Sequence, residues 1–494
     1  MGFDGIACEP AAGEGNVDEL KQEAAKGEDS DEDEVDEPLP SREVTVLSLS
    51  GDIRGLGSDL AKVYGQRMRA GLDRSKDYYT RLPPISCDAA QWRQLSDNAR
   101  AGARICCPVA CAFLGGLEEG LGWDVYDAVL DFEVYTLELQ RRDRLKAASS
   151  AKSPSSDNDS SSSESELEIN LADAVPAAAD QDLVEKDDEP ISSRTRSKTN
   201  AMDEEPEEEQ SRSKLPKSGR CTGFAIVSDR GPGPGSALLA QTVDLPPLLY
   251  GYGDFDCVLR LETPSCSVLV YDTDGRLCPV GFNSAGLGIG VFNLHMRQTT
   301  GFEQPSVSVQ VMVWELLLGG HNLASALSWL QALPIPVMCG GALLLADASL
   351  GAVTVELCPG GPVVIGPVLQ GSPVVRANHA LHEQTLAGFA SPARARKDSM
   401  CRQEALAMQM VQEKANWPAL DGAAALAFLR SSKKVRNLST LSCLAFDLVR
   451  GELHVEFRER QLVAEEDVAR ISVSMGLAPM AVEKHLAQGA LQVD

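Results

Sequence analysis

Apolar positions along this chain fall into two textures separated by a long polar stretch. The first is helical. It begins with a short β run, "REVTVLSLSG", closed by Gly51, and continues as "IRGLGSDLAKVYGQRMRAGLDR". There Leu60, Val63, Tyr64 and Met68 recur at helical spacing behind Ser58 or Asp59 as the cap, which predicts a helix. "DAAQWRQLSDNARAGARICCPVACAFLGGLEEGLG" and "DVYDAVLDFEVYTLELQRRDRL" read as further helices, so residues 43–146 form one strand and a helical part. The second texture starts at Cys221. "CTGFAIVSD", "GSALLAQTVDL", "DCVLRLE", "CSVLVYD" and "LCPVGFNSAGLGIGVFNL" are β runs set apart by turn residues. Two helical stretches follow, "SVQVMVWELLLGG" and "NLASALSWLQAL". Strands return in "GGALLLADASLGAVTVELCPGGPVVIGP" and "SPVVRANHAL", then a helical pair around residues 400–430 and a last hairpin, "TLSCLAFDLVRGELHVEF". Strands, helices and strands in blocks predict an α+β sandwich over 221–460, with 461–494 a helical tail.

Composition changes the picture mainly between and before these textures. Of the formal net charge of −27, residues 1–42 carry −11 and residues 151–219 carry −10. Both segments are low in apolar residues, and 147–219 has no Phe, Trp or Tyr, so neither can bury enough surface to offset its ordering entropy. They are expected to be disordered: an acidic tail and an acidic linker on a mildly acidic globular protein. Within the linker, "SRTRSK" (193–198) reads as a solvated mixed-charge patch, with a nuclear-import signal as the alternative. Nothing in this charge distribution favours nucleic acid as a partner, since phosphate binding needs concentrated Lys and Arg. No apolar run is long enough to span a bilayer, and "MGFDGIACEP" lacks the n- and h-regions of a secretory signal, so a cytoplasmic protein with no membrane association is expected. Thirteen cysteines then read as mostly buried free thiols. Cys107 and Cys111 share a helix face, but no further ligand completes a metal site, so no metal is expected.

Cys221 stands at the first position of the folded segment, directly behind the linker. A cysteine there has a specific chemical use. If the preceding peptide bond is cut, its α-amino group, with a pKa of roughly 7.7–8.0, can take the thiol proton, so one residue supplies nucleophile and base. Such a site needs a carboxylate for the amine and donors for the oxyanion. Asp244 in "LLAQTVDL", Asn293 in "GVFNLH" and Asn378 in "RANHAL" are candidates, although singly each is also an ordinary strand-ending residue.

In order, "CTGFAIV … ALLAQTVDL … PVGFNSAGLGIGVFNLH … VRANHAL" resembles the acyl-coenzyme A:6-aminopenicillanic acid acyltransferase (isopenicillin-N acyltransferase) family of cysteine-type N-terminal-nucleophile proteins. "VGFNSAGLGIGVFNLHM" carries the resemblance most specifically. "IRGLGSDLAKVYGQRM" and the hairpin 439–457 extend it over most of 43–460. It implies a four-layer αββα sandwich with an N-terminal helical segment and long insertions. It further implies Cys221 as nucleophile, Asp244 as partner of its amino group, and Asn293 and Asn378 as oxyanion and carbonyl contacts. Gln241, and Thr242 where the family has Asn, would contact substrate. Arg430 in "FLRSSKK" matches the Arg before the last hairpin. Cleavage would fall between Arg220 and Cys221, where the family usually has Gly before the nucleophile, and would leave a heterodimer of the protein's own two chains. The implied reaction acts through a Cys221 acyl-enzyme on a small acyl amide or acyl-thioester, with water or an amine as acceptor. No cofactor is implied, with acyl-coenzyme A as a conceivable co-substrate. The alternative is an inactive member that works as an interaction protein through its acidic segments.

Overall fold

Residues just after Cys221 alternate between two cores, which is why their strands read as unbroken apolar runs. The computed structural model describes residues 45–81, 89–130, 221–228, 236–244, 257–272, 277–294, 296, 300–388, 393–413, 417, 420–432, 434–435, 440–458 and 468–475. The chain divides into a unit Met1–Ser41, which lies outside these residues, and the unit Arg42–Asp494, to which all of them belong. The linker 147–219 and Arg220 also lie outside them.

In strand β2 (Gly223–Val227), Phe224 and Ile226 join one apolar cluster while Ala225 and Val227 join the other. The same split runs through β3 (Ala237–Asp244), where Leu238 and Ala240 face one way and Ala237 and Leu239 the other. A strand covered on both faces buries every residue, so periodicity disappears from the sequence. These two strands sit in a six-stranded sheet of order β11-β2-β3-β12-β13-β14, with β11 Val374–Arg376, β12 Thr440–Asp447, β13 Glu452–Arg458 and β14 Val468–Ser474. The other sheet has eight strands in the order β1-β4-β5-β6-β7-β8-β9-β10. They are β1 Thr45–Ser50, β4 Cys257–Glu262, β5 Ser267–Asp272, β6 Val280–Asn283, β7 Leu287–Asn293, β8 Gly341–Asp347, β9 Gly351–Leu357 and β10 Val363–Ile365. All its neighbours pair antiparallel except β1, which adds parallel to β4 at the edge (Thr45↔Cys257 through Ser50↔Glu262).

The sheets face one another through β2 and β3 against β7, β8 and β9. One bridge between them is polar. The Gln241 side chain donates through Nε2 to the Val291 carbonyl and accepts the Val291 N–H through Oε1, both at 3.0 Å. Pairing of β6 with β7 stops at Gly281↔Ile289, and two residues further the register would oppose Val291 with Pro279, which has no N–H. Gln241 therefore replaces a missing ladder partner. Gly290 makes the approach possible, since a Cβ there would lie 2.7 Å from Gln241 Oε1.

Helices cover the outer faces. Helix α7 (Ala393–Gln412) and α8 (Gly422–Ser431) place Leu406, Met410, Leu426 and Leu429 against Phe224, Leu238 and Cys443 of the smaller sheet. The larger sheet carries α1 (Ile53–Arg81), α2 (Ala89–Cys106), α3 (Pro108–Leu121), α4 (Val309–Leu318) and α5 (Leu323–Gln331). A single turn, α6 (Glu383–Leu386), follows β11.

Two expectations are corrected. Helix α1 is capped by neither Ser58 nor Asp59: it starts at Ile53, where Asp52 Oδ1 accepts the Gly55 N–H at 2.9 Å. Val63, on the expected apolar stripe, is 59% exposed, whereas Leu56, Leu60, Tyr64 and Met68 are buried. The tail 461–494 is not helical throughout, because residues 468–474 form β14 and pair antiparallel with β13. "VARISVSM" alternates apolar Ile471, Val473 and Met475 with Ser472 and Ser474, which suits an edge strand better than a helix.

Candidate active site

Topology brings the candidate residues to one end of the two-sheet stack. Gly223 of β2 pairs with Gln241 of β3 and with Arg376 of β11. Two steps back along both ladders, Cys221 falls beside Val243, next to Asp244, on one side and beside Asn378 on the other. Asn293 ends β7 in the facing sheet. Four residues far apart in sequence thus meet where their strands end.

The residue after the cysteine is held from two sides. Thr222 N–H donates to Thr242 Oγ1 at 3.0 Å, and Thr242 N–H donates to the Thr222 carbonyl at 2.8 Å. From α7, Arg402 reaches in, 3% exposed. Its Nη1 donates to the Cys221 carbonyl at 2.8 Å and to the Thr222 hydroxyl, and its Nη2 donates to Asn378 Oδ1 at 3.3 Å. Asp398 Oδ2 accepts from Arg402 Nε at 3.1 Å. Asn378 in turn donates through Nδ2 to the Asn293 carbonyl at 3.1 Å. The guanidinium fork fixes which end of the Asn378 amide is nitrogen, and that nitrogen keeps a second N–H.

Cys221 itself is half-buried, and its thiol is pushed up to about 12. Burial is the main cause and the Asp244 charge the next; a backbone hydrogen bond from Asp244 and the Arg402 charge oppose them. With the chain uncut, the thiol is protonated at neutral pH. Among the described residues no histidine hydrogen-bonds its sulfur. His379, one residue past Asn378, instead bonds Ser399 through Nδ1 at 2.9 Å.

Not every expected residue arrives. Arg430 lies in the last turn of α8 and pairs with Glu456 Oε2 at 3.2 Å. Glu456 stands opposite Cys443, which stands opposite Thr242, so the pair is held two strands, roughly 9.5 Å, from Thr242. The arginine that meets Cys221 is Arg402. The sequence did contain a signal for it: the buried face of α7 runs Met410, Leu406, Arg402, Ser399, and an arginine on such a stripe needs a polar destination. Gln241 also takes another role, its amide being engaged at both ends by Val291 rather than facing a substrate. Thr242 positions the peptide at Thr222.

Among the described residues no group of three or more His, Cys, Asp or Glu could hold a metal ion. A separate cavity of about 370 Å³ opens beside α1–α3, lined by Arg54, Arg100, Glu118, Glu119 and Tyr126 among others; none of the residues around Cys221 lines it. Its arginines are largely matched, Arg54 by Glu119 and Arg100 by Glu118 and Asp124.

No family model and no curated protein matches the chain. Among solved structures it is similar to penicillin V acylase from Agrobacterium tumefaciens, at 15% identity and a TM-score of 0.29, over 48% of this chain and 83% of that one.

Proposed function

We propose that this protein is a cysteine N-terminal-nucleophile enzyme, an amide hydrolase or acyltransferase, and that its stacked helices and sheets are the four-layer αββα form of that class. The observation that carries the reading is the convergence on Cys221. A segment-initial cysteine meets Asp244, the Thr222–Thr242 clasp, and an Arg402–Asn378–Asn293 relay at one end of the two sheets.

Cleavage between Arg220 and Cys221 converts the backbone nitrogen of Cys221 into an amine. That amine accepts the thiol proton, and Asp244, buried at 1% exposure, holds the resulting ammonium. The thiolate attacks the acyl carbonyl, and the oxyanion takes the free N–H of Asn378 and the side chain of Asn293. Collapse expels the amine or thiol leaving group, which takes the proton from the ammonium. Water or a second amine, deprotonated by the same group, then removes the acyl chain from sulfur. The substrate class is a small acyl amide or acyl-thioester, acyl-coenzyme A included. The mature protein is a heterodimer of its own two chains.

The test is a trapped acyl-enzyme. The purified protein is incubated with N-acyl amino acids and p-nitrophenyl esters, then digested and weighed. The acyl mass is expected on the peptide starting at Cys221. Cys221→Ala abolishes it, a loss of several orders of magnitude in rate, while Cys257→Ala, Cys266→Ala and Cys278→Ala retain it. An acyl group on another cysteine sinks the assignment.

A further inference from the structure

Glu356 and Arg376 form an ion pair that the chemistry above leaves unused. Glu356 lies on β9 of the larger sheet and Arg376 ends β11 of the smaller one; both are 0% exposed, with Arg376 Nη1 2.6 Å from Glu356 Oε1. Val374, two residues earlier, packs in the core between the sheets, so the Arg376 side chain crosses that space. None of its three guanidinium nitrogens, Nη1 included, makes an aligned hydrogen bond to an acceptor among the described residues, so its contact with Glu356 is an ion pair. Glu356 does more than balance this charge. Oε1 accepts the Leu381 N–H at 2.7 Å and Oε2 the His382 N–H at 3.2 Å. Burial alone would push the Glu356 carboxyl up, yet Arg376 and these N–H groups hold it below the usual range.

Between Arg376 and Leu381 the chain holds Asn378 and His379. One carboxylate from the opposite sheet therefore grips both ends of the loop that presents Asn378. Further fastenings come from α7, where Gln403 Oε1 accepts the Ala377 N–H at 3.1 Å, Arg402 binds Asn378 and Ser399 binds His379, and from β7, whose Asn293 carbonyl accepts from Asn378 Nδ2 at 3.1 Å. We infer that Glu356, through Arg376 and the Leu381 and His382 amides, is a positioning residue that sets the Asn378 amide at the oxyanion of the acyl-transfer reaction. This inference rests on the reading proposed above.

Acylation of Cys221 develops an oxyanion, whereas alkylation by iodoacetamide does not, so the two separate positioning of Asn378 from general damage to the nucleophile. Glu356→Gln alone strands a buried guanidinium and threatens folding, so Glu356→Gln/Arg376→Gln, which removes both charges, is made beside it. In the folded double variant, acylation by p-nitrophenyl acetate is expected to slow about tenfold to hundredfold, part of what losing an oxyanion donor costs. Iodoacetamide should still label Cys221 at the wild-type rate. In an Asn378→Ala background the double substitution should slow acylation no further, because it acts through that side chain. Wild-type acylation by the folded double variant overturns the inference, as does a loss that adds fully to that of Asn378→Ala. A wild-type protein alkylated at Cys221 but never acylated there overturns the acyl-transfer reading itself, and the inference with it.

Discussion

Arg402 illustrates how a single side chain can organise a site assembled from five segments. Its fork joins the Cys221 carbonyl, the Thr222 hydroxyl and the Asn378 amide while Asp398 balances its charge. A lysine keeps the charge but cannot span three acceptors in a plane. Arg402→Lys is therefore expected to slow Cys221 acylation about a hundredfold, with only a small change in thermal midpoint, while Arg430→Lys leaves acylation unchanged; equal effects would return the role to Arg430. His379 carries a prediction in pH. Its imidazole is pushed down to about 4, by burial first and then by Arg376, with Arg402 and Arg396 adding and Glu356 opposing. The unfolded chain binds that proton at about pH 6.5 and the folded one does not, so the penalty is absent above pH 6.5 and grows as pH falls toward 4. It should reach on the order of 3 kcal/mol. Urea unfolding of His379→Gln at pH 7, 5.5 and 4.5 should show a smaller acid loss than wild type, and identical losses would exclude His379 as the cause. At this scale the sequence pointed to Cys221, Asp244, Asn293 and Asn378, which respectively precede, end, end and closely follow a strand in a local pattern. Arg402 escaped because Arg394, Arg396, Lys397 and Arg402 look alike until the helix face is known.

At the scale of elements, strands near the site were legible because burial on both faces leaves long apolar runs between turn residues. What was not legible is backbone approach. Helices α1 and α3 cross so closely that a Cβ on Gly57 would lie 2.0 Å from the Phe113 carbonyl oxygen, and one on Gly116 1.9 Å from that of Arg54. In sequence, "IRGLG" looks like a poor helix; in the fold both glycines lie inside α1, and Gly57 sits at the crossing. Gly57→Ala gains about 1 kcal/mol of helix propensity but forces the helices apart at about 3 kcal/mol. The net loss of about 2 kcal/mol should lower the thermal midpoint by roughly 4–8 °C. Gly55→Ala is the control, since its Cβ would meet only Asp52 side-chain atoms at 3.5 Å or beyond, and it should hold or raise the midpoint. A harmless Gly57→Ala would show that the α1–α3 approach does not depend on this glycine. The strand β14 escaped for a different reason: seven residues of alternation beyond the last hairpin form only because β13 offers an open edge.

For the molecule as a whole, the question is whether a cut before Cys221 would divide one body into two. Contacts across the cut argue that it would not. Strand β1 fills the edge of the larger sheet beside β4. Asn98 Nδ2 donates to the Gly301 carbonyl at 2.8 Å, and Glu315 of α4 accepts the Ala110 N–H at 2.8 Å at the start of α3. Phe113 packs on Trp314 with ring centroids 4.8 Å apart. A chain of 220 residues should remain bound to one of 274. The expected chemistry is an N-to-S shift: Cys221 Sγ attacks the Arg220 carbonyl carbon, the C–N bond breaks to free the α-amine, and water hydrolyses the thioester to the Arg220 carboxylate and the thiol. Glycine before the cysteine would reach the required tight turn more readily than Arg220 does, so Arg220→Gly should accelerate cleavage. Cys221→Ala should stay whole. Mass analysis under denaturing conditions should show a C-terminal chain beginning at Cys221, and native mass should equal that of the uncut protein plus one water. A protease acting on "SRSKLPKSGR" reaches the same end only if trimming stops at Cys221, and it would also cut the Cys221→Ala protein, which distinguishes the two routes. An uncut protein that turns substrate over at full rate would refute the free-amine mechanism, because its only nitrogen beside the thiol would still be an amide.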